Sequence, residues 1–459
     1  VTWTPKLPTS AWPTRLRVVQ NPAEPADNQV VRLPRLTRTA ALGVALALPV
    51  ALLSPLTGEA APHRATSGKA KVVRIVDGDT IDVDRNFDGR IDATIRLLGI
   101  DSAERGLCNF AAASKAMKRL VGGKVVRLTS DSGLTGIQNR PLRRVHVKVR
   151  GRWVDASEWM LERGWGVWMP GQLETTNALR HHKAADRAAA AGRGWFDNDR
   201  CGAGPGAPDA LSMQVQYASD IASWVSPAQR LNQEVVRIRN NGAVPLSVDG
   251  WTLRVGNDRT RRVPPGGPIP PGQSIDVHVG SGTNTATDRY LGSGTALMYA
   301  ASLDGGPHLG SGSYLIDPDN DIRASMTWPC TLDCADPTGD DLVISEVVAD
   351  APGGMDTKNL NGEYVRITNR GSAPIRTGDI VMESLPVVVE FPGDHWLAPG
   401  ESVVVRSGKG DSTQDTRYVG ADSGLLNSSG DRVLLRTYDA IVVDCYSWGR
   451  GPNSTCPRG

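Results

Sequence analysis

The 459-residue sequence predicts a multidomain, mainly β protein. Three observations predict it. Gly (50) and Pro (31) are abundant, which favours turn-rich β architecture over long helical bundles. Most apolar runs are short and alternate with turn residues instead of following a helical period. The C-terminal half repeats itself. At about 150 residues per domain the length suits about three domains. Hydrophobic residues make up 40% and charged residues 22%, enough to pack cores, which excludes a wholly disordered chain.

The net charge of +2 hides an asymmetry. Residues 71–200 carry 23 basic and 16 acidic side chains, a net +7, whereas residues 201–459 carry 20 and 30, a net −10. A basic middle and an acidic tail suit different partners.

Residues 1–61 read as an N-terminal extension with a signal peptide. The apolar run 40–53 (AALGVALALPVALL) is too short for a span of about 20 residues. Arg32, Arg35 and Arg38 precede it, and small residues follow, so cleavage is expected near Ala60 or Ala61. A start at Val30 or Val31 would leave an ordinary charged leader. The expected destination is the exterior or the cell surface. Six cysteines without a CxxC pair fit export and argue against a zinc ribbon. The expected pairing is Cys108–Cys201, Cys330–Cys334 and Cys445–Cys456, one of 15 possible connectivities.

After a linker at 62–70 comes the segment 71–201. Residues 71–83 (KVVRIVDGDTIDV) form a β-rich run broken by Asp-Gly-Asp, and 91–100 (IDATIRLLGI) a second strand. Residues 110–120 have helical spacing and end at Gly122-Gly123. Strands at 124–129 and 143–149 follow, then a short helix at 155–163 and a final helix at 174–191. Strands first, with helices interleaved later, fit an OB-type five-stranded barrel with helices.

Asp79 and Asp101 fall at the ends of two neighbouring strands, where carboxylates suit a hard, oxygen-seeking cation such as calcium. Glu104, three residues beyond Asp101, is placed to act as a general base. Arg96 and Arg143 are suited to bidentate bonds with phosphate oxygens. Val76-Asp77-Gly78-Asp79-Thr80 followed by Arg96-Leu97-Leu98-Gly99-Ile100-Asp101-Ser102-Ala103-Glu104 resembles the staphylococcal nuclease (thermonuclease) family. Helix 110–120, Gly123-Lys124-Val125-Val126, the Arg143 strand, Gly164-Trp165-Gly166 and Gly194-Trp195 agree in order, so the resemblance covers about residues 70–200. It implies a calcium-dependent phosphodiesterase acting on DNA and RNA and leaving 3′-phosphate ends. It also implies that the Ser102 carbonyl joins Asp79 and Asp101 on the metal, and that Arg96, Glu104 and Arg143 are catalytic. Ser102-Ala103 and Pro141-Leu142 depart from the family pattern. Loop 131–142 is therefore divergent, and Arg140 and Arg144 are rivals for the Arg143 role.

Two further features stand out. Asp84, Asn86, Asp88 and Asp92 have the 1, 3, 5, 9 spacing of a calcium loop without the bidentate Glu, which suggests a second, weaker calcium site or an acidic turn. Trp168 lies where the resemblance places substrate-stacking aromatics, although core packing would suit it equally. His181-His182 read as solvated residues of the last helix, without a third ligand for zinc.

Residues 202–210 are a linker by composition. Beyond it, 233–251 (QEVVRIRNNGAVPLSVDGW) mirrors 362–380 (GEYVRITNRGSAPIRTGDI), and 271–282 mirrors 399–410. Each copy, 211–334 and 335–459, predicts an immunoglobulin-like β-sandwich. ISEV at 344–347, the strand beginning Gly362-Glu363-Tyr364-Val365-Arg366 and the Pro-Gly-(Glu/Gln)-Ser strand resemble lamin-tail domains, more closely in the second copy. Glu234 and Glu363 read as structural. At −10 the tail lacks the clustered basic residues that hold a nucleic-acid backbone. It reads as a binding or spacer module, with the cell envelope as one partner class. The rival reading is a catalytically inactive nuclease-like protein that binds nucleic acid or adheres to the envelope.

Overall fold

The computed structural model describes residues 66–133, 140–171, 174–202, 204–217, 231–256, 260–298, 309–351, 359–384, 387–451 and 454–457. The expected signal peptide and half of the divergent loop, 134–139, lie outside the described residues. Three hydrophobic cores succeed one another along the chain, one in the barrel segment and one in each half of the tail.

The barrel segment contains β1 (Thr66–Ile75), β2 (Thr80–Asp84), β3 (Ala93–Leu97), β4 (Gly99–Asp101), α1 (Phe110–Val121), β5 (Val125–Ser130), β6 (Leu142–Val149), β7 (Arg152–Asp155), α2 (Ala156–Leu161), β8 (Val167–Met169) and α3 (Ala178–Ala190). The strand order β3-β2-β1-β5-β6 closes through a parallel β3–β6 pairing into a five-stranded, OB-like barrel, and β7 extends the sheet beside β6. Alternation aims Val72, Ile81, Val83, Ile95, Val126 and Val145 inward, against Met117 and Leu120 of α1. β4 pairs with β8 outside the barrel. The disulfide Cys108–Cys201 ties the residues before α1 to the end of this segment.

The first half of the tail stacks two four-stranded sheets. It contains β9 (Leu211–Gln216), β10 (Val235–Asn240), β11 (Thr252–Val255), β12 (Thr260–Arg262), β13 (Ser274–His278), β14 (Asp288–Tyr290), β15 (Ser311–Ile316) and β16 (Ile322–Trp328). The orders are β14-β13-β10-β9 and β12-β11-β15-β16.

The second half contains β17 (Leu342–Val348), β18 (Tyr364–Asn369), β19 (Ile375–Arg376), β20 (Ile380–Ser384), β21 (Val387–Glu390), β22 (Trp396–Leu397), β23 (Ser402–Arg406), β24 (Thr416–Tyr418), β25 (Gly430–Thr437) and β26 (Val442–Gly449). Its sheets run β17-β18-β23-β24 and β21-β20-β25-β26, and a small β19-β22 pair completes it. The repeat seen in sequence recurs in the pairings, down to the parallel partners β13–β14 and β23–β24. Glu363 accepts from the Leu425 and Leu426 amides and Glu234 from the Leu297 amide, so both acids brace loops from inside, in keeping with a structural role. Cys330–Cys334 and Cys445–Cys456 complete the expected pairing.

The segments pack against one another. Trp195 donates from Nε1 to the Asn320 carbonyl (2.8 Å), the Cys201 amide bonds the Asp321 carboxylate, and Asp186 accepts from Thr327 and Thr331. Ala103, Val167, Trp195 and Phe196 share an apolar cluster with Tyr314, Ile316 and Ile322. Between the sandwiches, Arg237 bonds Glu390 and the Tyr438 hydroxyl. Among the described residues no helix is long and apolar enough to cross a membrane.

Candidate functional site

The site starts from the turn between β1 and β2. The Val76 and Asp77 amides donate to the Thr80 carbonyl, and the Asp79 amide donates to the Asp77 carboxylate. Gly78 sits so close to the neighbouring chain that a Cβ there would lie 2.7 Å from Ser102 Cβ and 2.8 Å from Ala113 Cβ. Only glycine lets the turn approach the end of β4 and the flank of α1 this closely. The Asp79 side chain is thereby delivered to Ser102, whose amide donates to Asp79 Oδ2 at 2.5 Å.

β3 brings the cation. Its pairing sets Arg96 opposite Thr80 on one side and Leu142 on the other. The Arg96 guanidinium lies 2.5 Å from Asp79 Oδ1, donates to Asp101 Oδ1, and also reaches the Ile100 carbonyl at 3.0 Å. All three side chains are nearly enclosed, at 12% exposure for Arg96, 6% for Asp79 and 15% for Asp101.

Burial pushes the Asp79 carboxyl well above the usual carboxylate range, more than Arg96 pulls it down. Burial also acts upward on Asp101, but Arg254 and Arg96 hold it below its ordinary value. Burial alone would lower Arg96; Asp79 and Asp101 raise it.

Asp79, Arg96, Asp101 and Ser102 therefore meet in one place. Glu104 stands exposed beside them, and its charge acts on Arg96. It does not cap α1, whose N-cap is Asn109. Arg143 sits on the adjoining strand, paired with Leu97, and its carbonyl accepts from the Leu98 amide. Its Nη1 donates to the Leu142 carbonyl, and among the described residues Arg85 and Glu174 act on its charge. The sequence order thus places Arg143 next to the cluster but does not carry its guanidinium onto either aspartate. Arg144 is buried against Asp131 and Glu174, where Glu174 also gathers the Asp131 and Ser132 amides, so its work is to hold the start of the divergent loop. Arg140 is half-buried at the other edge of that loop.

One expectation, that His181 and His182 are solvated, is corrected, and two features left open between function and structure take the structural form. The acids of 84–92 do not converge as a calcium loop: Asp84 accepts from the Phe87 and Gly89 amides and Asp92 from the Arg85 and Asn86 amides, which is the chemistry of a self-bonded turn. Among the described residues no group of three or more His, Cys, Asp or Glu gathers as a metal cluster. Trp168 is closed to a base. It is 3% exposed, and its ring stacks on His182 at 3.7 Å between centroids. His181 and His182 are buried and not solvated; Nε2 of His181 lies 3.1 Å from Asp155. They lie on the same helical stripe as Ala178, Ala185 and Ala188, and that period prevails over their polarity.

One residue escaped the sequence reading. Arg254 of β11 donates from Nη1 to Asp101 Oδ2 at 2.5 Å. Its side chain is 8% exposed, and its Nε is buried without a partner. Both Asp101 oxygens are thus engaged by guanidinium groups, one from the barrel and one from the first sandwich. No local signal marked it: from Trp251 and Ile380 onward the two copies diverge, and at the 129-residue offset Arg254 falls opposite Glu383.

The donor set formed by Asp79, Asp101 and the Ser102 carbonyl consists wholly of oxygen, and a cation there would share or displace the Arg96, Arg254 and Ser102 amide donors that engage the two carboxylates. It fits a hard cation of the calcium kind.

No curated protein matches the chain, and no nuclease family model does. Residues 335–450, the second sandwich, match the family model of the Lamin Tail Domain, an immunoglobulin-like fold.

Proposed function

We propose that the barrel segment is a calcium-dependent nuclease, secreted or held at the cell surface, which hydrolyses phosphodiester bonds of DNA and RNA and leaves 3′-phosphate ends. The observation that carries this reading is the enclosed Asp79–Arg96–Asp101 cluster with Glu104 at its edge. Phosphodiester hydrolysis requires neutralised oxygens and an activated water, and these residue types supply both.

In this mechanism Asp79, Asp101 and the Ser102 carbonyl would hold calcium, which would supply positive charge to a non-bridging phosphate oxygen. Arg96 turns part of its donor fork from the aspartates to the phosphate and fixes its orientation. Glu104 accepts the proton of the attacking water as the P–O bond forms. The P–O5′ bond breaks, the 5′ oxygen takes a proton from solvent, and the phosphate stays on the 3′ side. Arg143, one strand pair from Arg96, approaches the substrate's outer oxygens once its bond to the Leu142 carbonyl opens. Three disulfides support an oxidising destination. The first sandwich is read as a second lamin-tail-like module on the strength of the repeated pairings, and the pair of modules as a binding or spacing unit for the cell envelope.

A second reading is favoured by Arg254. With both oxygens of Asp101 engaged, the barrel would bind nucleic acid or the envelope without cutting. Incubating plasmid with the full chain, with calcium and with chelator, separates the two. Calcium-dependent degradation followed by 3′-phosphate end groups supports the nuclease; intact plasmid in both tubes supports the binding protein.

A further inference from the structure

We propose that the barrel carries a second nucleic-acid site, a basic, tryptophan-lined groove that takes single-stranded chains away from the aspartate cluster. The proposal takes its ligand class from the nuclease reading but stands on binding alone. The groove encloses about 670 Å³ and is lined by Arg119, Lys124, Trp159, Arg163, Trp165 and Arg193, with Leu120, Val149 and Gly194 on its floor. Four cations and no carboxylate face it.

The cations differ in their freedom. Arg193 is tied to Glu162. Arg119, Lys124 and Arg163 are exposed and make no ion pair among the described residues. Lys124 is aimed by its bond to the Leu120 carbonyl, 2.7 Å long. Uncompensated positive charge held in a concave, partly apolar wall attracts a polyanion more strongly than the same charge on an open surface.

The aromatic groups set the choice among polyanions. Trp159 and Trp165 are half-buried, packed on the barrel core, and so rigid. The Arg163 guanidinium lies 3.8 Å above the Trp159 ring, and Arg200 lies 5.0 Å from the centroid of Trp165. Planar cations held over indoles are platforms on which unpaired bases stack, at about 1–3 kcal/mol per base. A duplex keeps its bases inside the helix, and an acidic peptide or sulfated glycan has none to offer.

The position extends the argument. Arg119 and Leu120 end α1, whereas Asp101 and Glu104 precede its start. The twelve-residue helix is about 18 Å long, so the basic wall formed by Arg119 and Lys124 stands at its far end, while Trp165, two residues before the Val167 that pairs with Asp101, lies nearer the cluster. A chain engaged at both would span several nucleotides. The groove would retain polymer between cuts and lose hold of short products.

The test measures binding of a fluorescent 20-residue oligothymidylate to the full chain in chelator, where no cutting occurs. Arg119→Glu/Lys124→Glu is expected to weaken binding at least tenfold. The triple variant that adds Arg163→Glu should have a salt slope about 2 lower than the parent's, near 0.7 for each of the three lost phosphate contacts. All three side chains are exposed, and an unchanged melting temperature reports an intact fold. A competition series completes it. Unlabelled oligothymidylate should displace the probe at lower concentration than duplex DNA, heparin or polyglutamate. Equal displacement by heparin or polyglutamate, or an unchanged affinity in the double variant, overturns the proposal. Hydrolysis of a dinucleotide-sized ester should be the same in the variant as in the parent. If that hydrolysis is absent from both while the binding contrast holds, the nuclease reading fails and the groove stands.

Discussion

Arg254 of the first sandwich donates to the Asp101 carboxylate of the barrel, joining residues 153 positions apart at the candidate metal ligand. A cation arriving at Asp101 has to share the carboxylate with Arg254 or displace it. Arg254→Ala is therefore expected to tighten calcium binding by tenfold or more, equal to about 1.4 kcal/mol, as read by calorimetric titration of the full chain. Weaker binding in the variant would mean that Arg254 supports the site and does not compete with the ion.

Glu104 is exposed and outside the ion-paired cluster. Glu104→Gln should lower plasmid hydrolysis by about 10²-fold or more while calcium affinity stays near that of the parent. Loss of both together would place Glu104 among the metal ligands and remove it as the base.

Arg96→Ala would leave Asp79 and Asp101 buried and facing each other without a shared cation. Removing one partner from such a set costs about 3–5 kcal/mol, so the barrel's denaturant midpoint should fall. Arg96→Lys should recover part of that stability and little of the activity, because one ammonium cannot serve both carboxylates and a phosphate. Equal midpoints for the parent and the alanine variant would show that the cluster contributes nothing to the fold.

His182, enclosed against Trp168, has its pKa lowered by burial to about 4. It is neutral in the folded chain near pH 7. The unfolded chain takes up a proton near pH 6.5, so the stability this residue carries is complete above that value. It is lost as the pH falls towards 4, by about 3 kcal/mol in all. His182→Phe keeps a ring on Trp168 and removes the proton site. Its melting temperature should depend less on pH between 6.5 and 4 than the parent's, and an identical dependence would show that other groups govern it.

Much of this was legible in the chain itself. The order of strands and helices, the closing Gly122-Gly123 and the repeat are local or periodic signals, and they appear where expected. So does the meeting of Asp79, Arg96 and Asp101, since a turn and two adjacent strand ends fix it. Of the expected disulfides two are short-range, whereas Cys108–Cys201 spans 93 positions. The two histidines were misjudged because residue type was weighed above helical period; the alanine stripe around them gave the truer answer. Trp168, in β8, takes the core packing that the sequence had left open. The acidic run at 84–92 matched a spacing without supplying free oxygens, since its own amides consume them. Arg254 was hidden for another reason: nothing in a strand of one sandwich announces which surface of another domain it will meet.

The short tether between barrel and first sandwich has a consequence for any attempt to dissect the molecule. Arg323 clasps the Ala207 and Pro208 carbonyls, and Asn198 reaches the same Pro208. The joint is therefore stitched from both sides. Cutting the gene there would expose a raw apolar seam around Trp195 and Tyr314, and a fragment that precipitates would say little about what the intact chain can do. Point changes in the whole chain, and not truncations, are the instrument this architecture calls for.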